Sequence, residues 1–274
     1  MKKSFVSLLA FTAVTFGMVS CGGTQKKEAK QDVEKEAVIA GEVSKDLLAV
    51  ELKLEVKSFC KDFPASTLPQ KLKTGEVKIS VSNTDFMLPI SKLAELNTKT
   101  QKARALGMYF ADANVLKAMG KPMTEIDAVL TKLVTDLDMP FAIDIMKEAN
   151  ATANDKVEME KYVAARDKFI DAMIDNDKTD VLLEIAGGMS VEYGLIYANP
   201  SLVIKGEAVT EGLSKNMEKR LDMLMEITND LAKYYPDVQF MGKTIEPLKD
   251  MMIPLELARE SKSEIEAMRD TLLK

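Results

Sequence analysis

The 274-residue chain contains no histidine and no tryptophan. Without histidine there is no Ser-His-Asp or Cys-His constellation, no His-Glu zinc site on a helix and no histidine-ligated haem. The helical iron-binding folds that use a Gly-x-His-x-x-Glu motif are excluded on the same ground. An enzyme built from this chain would have to work with carboxylates, lysine, tyrosine or serine. Cysteine is almost as scarce, with Cys21 and Cys60 alone. Basic charge is also in deficit. The formal net charge is −6, and it becomes −8 if an N-terminal leader carrying Lys2 and Lys3 is removed. That balance argues against a nucleic-acid partner and against adsorption to anionic lipid. No segment after the first twenty residues is long and apolar enough to cross a bilayer.

What is present begins with an address. Lys2 and Lys3 precede an apolar run from Phe5 to Val19, too short for an ordinary membrane span and followed by Met18-Val19-Ser20-Cys21. This resembles the lipobox of bacterial lipoproteins, with Met18 where leucine is commonest. The resemblance implies cleavage before Cys21, lipidation of Cys21 and a membrane partner reached through its acyl chains. Each buried methylene is worth about 0.8 kcal/mol, so two or three chains anchor a protein durably. Residues 1–20 are then a signal peptide. Residues 21–43 are the lipidated cysteine and a tether rich in Lys, Glu and Gln. About twenty flexible residues reach roughly 25 Å. With Cys21 taken by lipid, Cys60 has no intramolecular partner, and the apolar residues Phe59 and Phe63 around it suggest a packed, inert thiol.

Residues 44–274 read as a single all-α domain, an antiparallel bundle of about seven to eight helices. A short hairpin or irregular segment is expected near 64–90. There Val77, Ile79 and Val81 alternate with polar residues, and the run 50-VELKLEV-56, which fits a helix or a strand, is a potential pairing partner. Thr98 with Gln101 forms a capping box for a helix ending before Gly120. Thr124 with Asp127 opens the next helix, Asp155 another, and Asp175-Asn176-Asp177 turns the chain into a glycine-rich run closed by Asn199-Pro200. Ser214 opens a long helix reaching Pro236, and the last helix is interrupted at Pro254.

Three patterns suggest chemistry and are each weighed against a plainer reading. The run 175-DNDKTDVLLE-184 has the opening spacing of a calcium loop, but Asp180 stands where glycine is needed and Ala186 where glutamate is needed. The eighteen methionines fall mostly on apolar stripes and read as core filler rather than a copper site. No metal and no cofactor is therefore implied. Asp112 and Glu192 sit in otherwise apolar helices, and a buried carboxylate must be paired or protonated. With Tyr109, Tyr193 and Tyr197 they make a candidate shared pocket; the alternative places each at a polar helix edge or beside a Lys or Arg. In 184-EIAGGMSVEYGLIYANP-200 the glycines lie inside a helix, which excludes a phosphate loop. Ala186, Ser190, Gly194 and Ala198 recur every four residues, a ridge of small side chains expected to let another helix approach closely.

At 105-ALGMYFADANVL-116 and 185-IAGGMSVEYGLIYA-198 the chain resembles a group of uncharacterised helical lipoproteins of Bacteroidota-type Gram-negative bacteria. Their Ala-Leu-Gly-x-Tyr-x-Ala-Asp helix is matched by Leu106, Gly107, Tyr109, Ala111 and Asp112. Their Gly-Gly helix ending in tyrosine is matched by Gly187, Gly188, Glu192 and Tyr197, with Met189 where tryptophan is frequent. The resemblance brings no activity with it. It implies a lipid anchor in the outer membrane, and the lack of an acidic residue between Cys21 and Glu28 favours the periplasmic face. The expected function is a membrane-anchored binding or interaction module of the cell envelope, possessing an envelope protein partner. The alternative is a small-ligand binder or carboxylate-based enzyme.

Overall fold

In a computed structural model of the chain, residues 48–80, 86–150 and 155–274 are described, with side chains omitted at 147–150 and 155–162. Residues 1–43, read from the sequence as a signal peptide, a lipidated Cys21 and a tether, lie outside the described residues. From Ala49 onward the chain forms one compact unit. Its helices are α1 (48–62), α2 (Leu68–Lys73), α3 (Lys99–Ala118), α4 (Thr124–Asp136), α5 (Pro140–Asn150) and α6 (Asp155–Asp175). They continue with α7 (Thr179–Tyr197), α8 (Glu207–Leu231), α9 (Pro236–Ile245), α10 (Leu248–Met252), α11 (Leu257–Glu260) and α12 (Lys262–Leu272). A 3₁₀ helix spans Ile90–Glu95. The architecture is all-α, as the sequence pattern predicts.

One short antiparallel ladder joins β1 (Val77–Lys78) to β2 (Val203–Ile204), pairing Val77 with Ile204 and Lys78 with Val203. The strand at Val77 is thus real, but its partner is not the run 50–56, which is helical in α1. The alternation in that run does not mark a strand face: Val56 is buried while Val50 and Leu54 are exposed.

α3 begins as its sequence requires. Thr98 Oγ1 accepts from the Gln101 N–H at 3.1 Å, and Gln101 Oε1 accepts from the Thr98 N–H at 2.9 Å. The same device is absent from α4, where Met123 is the cap and Thr124 is already helical. α8 starts at Glu207, seven residues before Ser214, because Gly206 takes φ 87° and turns the chain directly out of β2 into the helix. Asp138 and Asp177, both at φ 56°, make the turns into α5 and α7, a left-handed conformation that aspartate tolerates better than most residues. Pro236 opens α9, Pro247 and Pro254 set α10 off from its neighbours, and a further break at Ser261 separates α11 from α12, two breaks more than the sequence suggests.

α3 and α4 form an antiparallel hairpin: Lys102 at the start of α3 bridges Asp136 at the end of α4 at 3.0 Å. The central pair is different. Contacts climb α3 and α7 in the same order, from Arg104 with Glu184 to Asp112 with Glu192 and Asn114 with Tyr193, so these two helices run parallel. They are separated by α4 to α6, which return the chain to its starting end. Both are enclosed by the others, with Leu106, Met108, Leu183 and Ile196 fully buried.

The approach of α3 to α7 is set by two glycines. A Cβ on Gly107 would lie 2.0 Å from the Ile185 carbonyl oxygen, and one on Gly188 would lie 2.1 Å from that of Arg104. Backbone meets backbone here, and no side chain can be turned aside. This corrects the expected ridge. Gly188 lies about 200° around α7 from Ser190, on the opposite face. Ser190 donates to the Ala186 carbonyl of its own helix at 2.9 Å. A Cβ on Gly194 would meet side chains only, those of Met252, Leu248 and Ile265 at 3.1–3.3 Å. Ala198 is buried and Ala186 half-buried. The ridge at Gly194 therefore admits side chains from α10 and α12, while the close helix pairing belongs to Gly188.

Candidate functional site

The face that α7 turns toward α3 carries Glu184, Gly188 and Glu192, each four residues after the last. Close packing at Gly188 brings both carboxylates against α3. At one end Arg104 Nε donates to Glu184 Oε2 at 2.6 Å. The same guanidinium donates to the Leu272 carbonyl at 3.1 Å and the Asp237 carbonyl at 3.2 Å, and it lies over the Phe240 ring at 5.1 Å. Burial raises the Glu184 pKa, with Arg104 pulling it back. With hydrogen bonds to three elements, Arg104 ties α3 to α7, α9 and α12 at once. Sequence reading missed this pair, since a Glu and an Arg near helix ends look like ordinary surface charges.

Eight residues further along α7, Glu192 meets Asp112 of α3, and both side chains are completely enclosed. Asp112 Oδ2 accepts from the Leu88 N–H at 3.0 Å. Arg269 of α12 donates through Nη1 to Glu192 Oε1 at 3.2 Å and to the Phe86 carbonyl at 3.0 Å. Tyr109, one turn before Asp112, donates its hydroxyl to the Pro89 carbonyl at 2.9 Å. Three side chains thus hold the backbone of Phe86 to Pro89, and Glu192 holds the Arg269 guanidinium while Asp112 feels its charge. Desolvation raises the Asp112 pKa well above the ordinary carboxyl range, and the adjacent Glu192 charge pushes it the same way. Desolvation likewise pushes Glu192 up to about 7, against the pull of Arg269 and Asp112. Tyr109 is raised by burial and by both carboxylates. Two carboxylates and one cation in a dry interior favour retention of a proton.

Of the five residues expected to share a pocket, Asp112, Glu192 and Tyr109 therefore meet, and Tyr193 and Tyr197 do not join them. At 100° per residue Tyr193 points away from Glu192, toward another cluster. There the Arg220 guanidinium lies over the rings of Phe63 at 4.6 Å and Tyr193 at 5.4 Å, and Asn114 donates to the Tyr193 hydroxyl at 3.4 Å. Tyr197 is electrostatically coupled to Tyr193 and Arg220 and lines a surface cavity of about 210 Å³ with Leu202, Ile204, Thr210, Leu255, Glu256 and Arg259. That volume lies below the roughly 300–1,000 Å³ usual for small-molecule sites.

The remaining candidates resolve simply. Cys60 is buried and free, with burial pushing its thiol up to about 12. Asp175 and Asp177 stand in a helix-to-helix turn, with Asp177 bridged to Lys53. Among the described residues no group of three or more His, Cys, Asp or Glu side chains is placed to hold a metal ion. Met108, Met139, Met173, Met217, Met241 and Met252 are all core residues. No protein-family model matches the chain, and no curated protein or solved structure matches it either.

Proposed function

We propose that this chain is a lipoprotein of the cell envelope, cleaved before Cys21 and held in the outer membrane, facing the periplasm, by acyl chains on that cysteine. Its helical domain serves as a binding or interaction module without catalytic chemistry. The observation that carries the anchor is the run of Lys2, Lys3, the apolar stretch Phe5 to Val19 and Met18-Val19-Ser20-Cys21. In agreement with a lipid anchor, no helix among the described residues is long and apolar enough to cross a membrane. The non-catalytic reading rests on the enclosure of Asp112 and Glu192, whose side chains reach no solvent and so touch no substrate. Cys21→Ser should release the protein from membranes and abolish labelling by an acyl precursor. Unchanged pelleting with retained label would refute the anchor.

A second reading, a small-ligand binder or carboxylate enzyme, is favoured by the convergence of Asp112, Glu192 and Tyr109. Native purification from detergent-solubilised envelopes, with mass spectrometry of proteins and small molecules, separates the two. A co-purifying protein supports the module. A small molecule whose retention is lost in Glu192→Gln supports the second reading.

A further inference from the structure

Asp112 and Glu192 place two acids in the fully buried interior, with the largely buried guanidinium of Arg269 against them. Asp112 Oδ2 is engaged by the Leu88 N–H, while Asp112 Oδ1 is buried without a hydrogen-bond partner. Glu192 lies beside Asp112, and two bare carboxylates side by side have no hydrogen to share. One proton held on Asp112 and donated to Glu192 removes that conflict and leaves a neutral set, with Glu192 balanced by Arg269.

The other titratable or charged groups around the pair are few. Tyr109 is the neighbour on α3, Arg269 is supplied by α12, and Lys92 on the 3₁₀ helix feels the charges of Arg269 and Asp270. The Phe86–Pro89 segment contributes only backbone groups: the Leu88 N–H to Asp112, the Phe86 carbonyl to Arg269 and the Pro89 carbonyl to Tyr109. We propose that Asp112 and Glu192 hold one proton between them, and that this proton operates a clasp closing the Phe86–Pro89 segment and α12 onto α3 and α7. With the proton in place the segment is fastened at three points. Its loss leaves a net negative charge sealed in the interior, which is relieved by opening the clasp and admitting water.

The direction with pH follows from linkage. A carboxyl whose folded-state pKa exceeds its unfolded value contributes stability that is complete below the unfolded value and is lost as pH rises through the folded one. For this pair the loss runs from the ordinary carboxyl range near 4.5 up through neutrality. The closed clasp binds one more proton than the open one, so its closing equilibrium weakens by up to about tenfold per pH unit in that window.

The test is hydrogen exchange of the Leu88 amide in the intact protein between about pH 5 and pH 9, corrected for intrinsic exchange. Leu88 protection is expected to fall up to about tenfold per pH unit around neutrality, ahead of the Leu224 amide in the buried face of α8. Asp112→Asn keeps an acceptor for Leu88 and a permanent donor for Glu192, and should flatten the Leu88 profile. A flat profile in the unaltered protein, or an unchanged slope in Asp112→Asn, overturns the clasp. Should that variant not fold, infrared spectroscopy of the unaltered protein decides. A protonated carboxyl band fading in step with Leu88 protection supports the shared proton, and no such band on the acid side of neutrality refutes it.

Discussion

Gly188→Ala is the sharpest test of the architecture, because the added methyl has nowhere to go. Its carbon would stand 2.1 Å from the Arg104 carbonyl oxygen and 3.0 Å from the Arg104 Cα, against an ordinary contact beginning at 3.4 Å. The helices must separate locally by about 1.3 Å, the difference between those contact distances. Overpacking a core costs about 1–3 kcal/mol, and the upper end applies when backbone is struck. Against this, alanine gains about 1 kcal/mol over glycine in helix propensity. The separation also falls four residues from Glu184 and four from Glu192, so it strains the 2.6 Å Arg104–Glu184 bond and the Asp112–Glu192 contact. A net loss of about 2–4 kcal/mol is expected from these opposed contributions. For a domain of this size that lowers the melting temperature by about 4–16 °C, read by circular dichroism at 222 nm, the helix band, or as the midpoint shift in urea. The matched control is Gly212→Ala on α8, where the same methyl meets nothing within 4 Å. It should be neutral or stabilise by up to about 1 kcal/mol. If Gly188→Ala melts with or above the unaltered protein while Gly212→Ala stabilises, the glycine contact is not what sets the α3–α7 spacing.

Arg104→Leu leaves Glu184 buried without its cation, at a cost of roughly 3–5 kcal/mol, whereas pairing it with Glu184→Leu should recover much of that loss. Equal denaturation midpoints for the single and double variants would contradict the isolated-charge argument. Gly194→Leu should destabilise by about 1–3 kcal/mol, less if Met252 swings aside, since its neighbours are side chains rather than backbone. A thermal melt unchanged from the parent would show that α10 and α12 do not pack as described. Cys60 should resist thiol reagents at pH 8 until the protein unfolds, since a thiol at about 12 holds only about one thiolate in ten thousand there. Labelling of the native protein at the rate of a free thiol would refute its burial.

Much of the helical framework was legible because local chemistry sets it. The Thr98–Gln101 box, the turn at Asp175 to Asp177 and the stop at Asn199-Pro200 all act within a few residues. Faces were harder. The small-residue repeat through Ser190 and Gly194 looks like a packing ridge, yet the tighter approach is made by a face that carries two glutamates. Carboxylates ordinarily mark the wet side of a helix, so Glu184, Gly188 and Glu192 do not advertise burial. Asp112 and Glu192 stood out only because their neighbours are apolar. Arg269 gave no such signal. It lies in 262-KSEIEAMRDTLL-273, an amphipathic helix rich in both charges, and its burial depends on where α12 docks. The false grouping of Tyr193 and Tyr197 with Glu192 shows the same limit, since adjacency in sequence separates side chains by 100° on a helix.

Arg104 also bears on the order in which the chain acquires its structure. Its guanidinium needs Glu184, Asp237 and Leu272, which lie 80, 133 and 168 residues further along. Gln101 reaches further still, donating through Nε2 to the Lys274 carbonyl at 2.6 Å. α3 emerges early in synthesis, yet its buried cation and amide find their last acceptors only when α12 arrives. Such distant closures are slow, because loop entropy is lost before the contacts form. Folding of this domain is therefore expected to complete only once α12 is available to supply the remaining acceptors of Arg104 and Gln101.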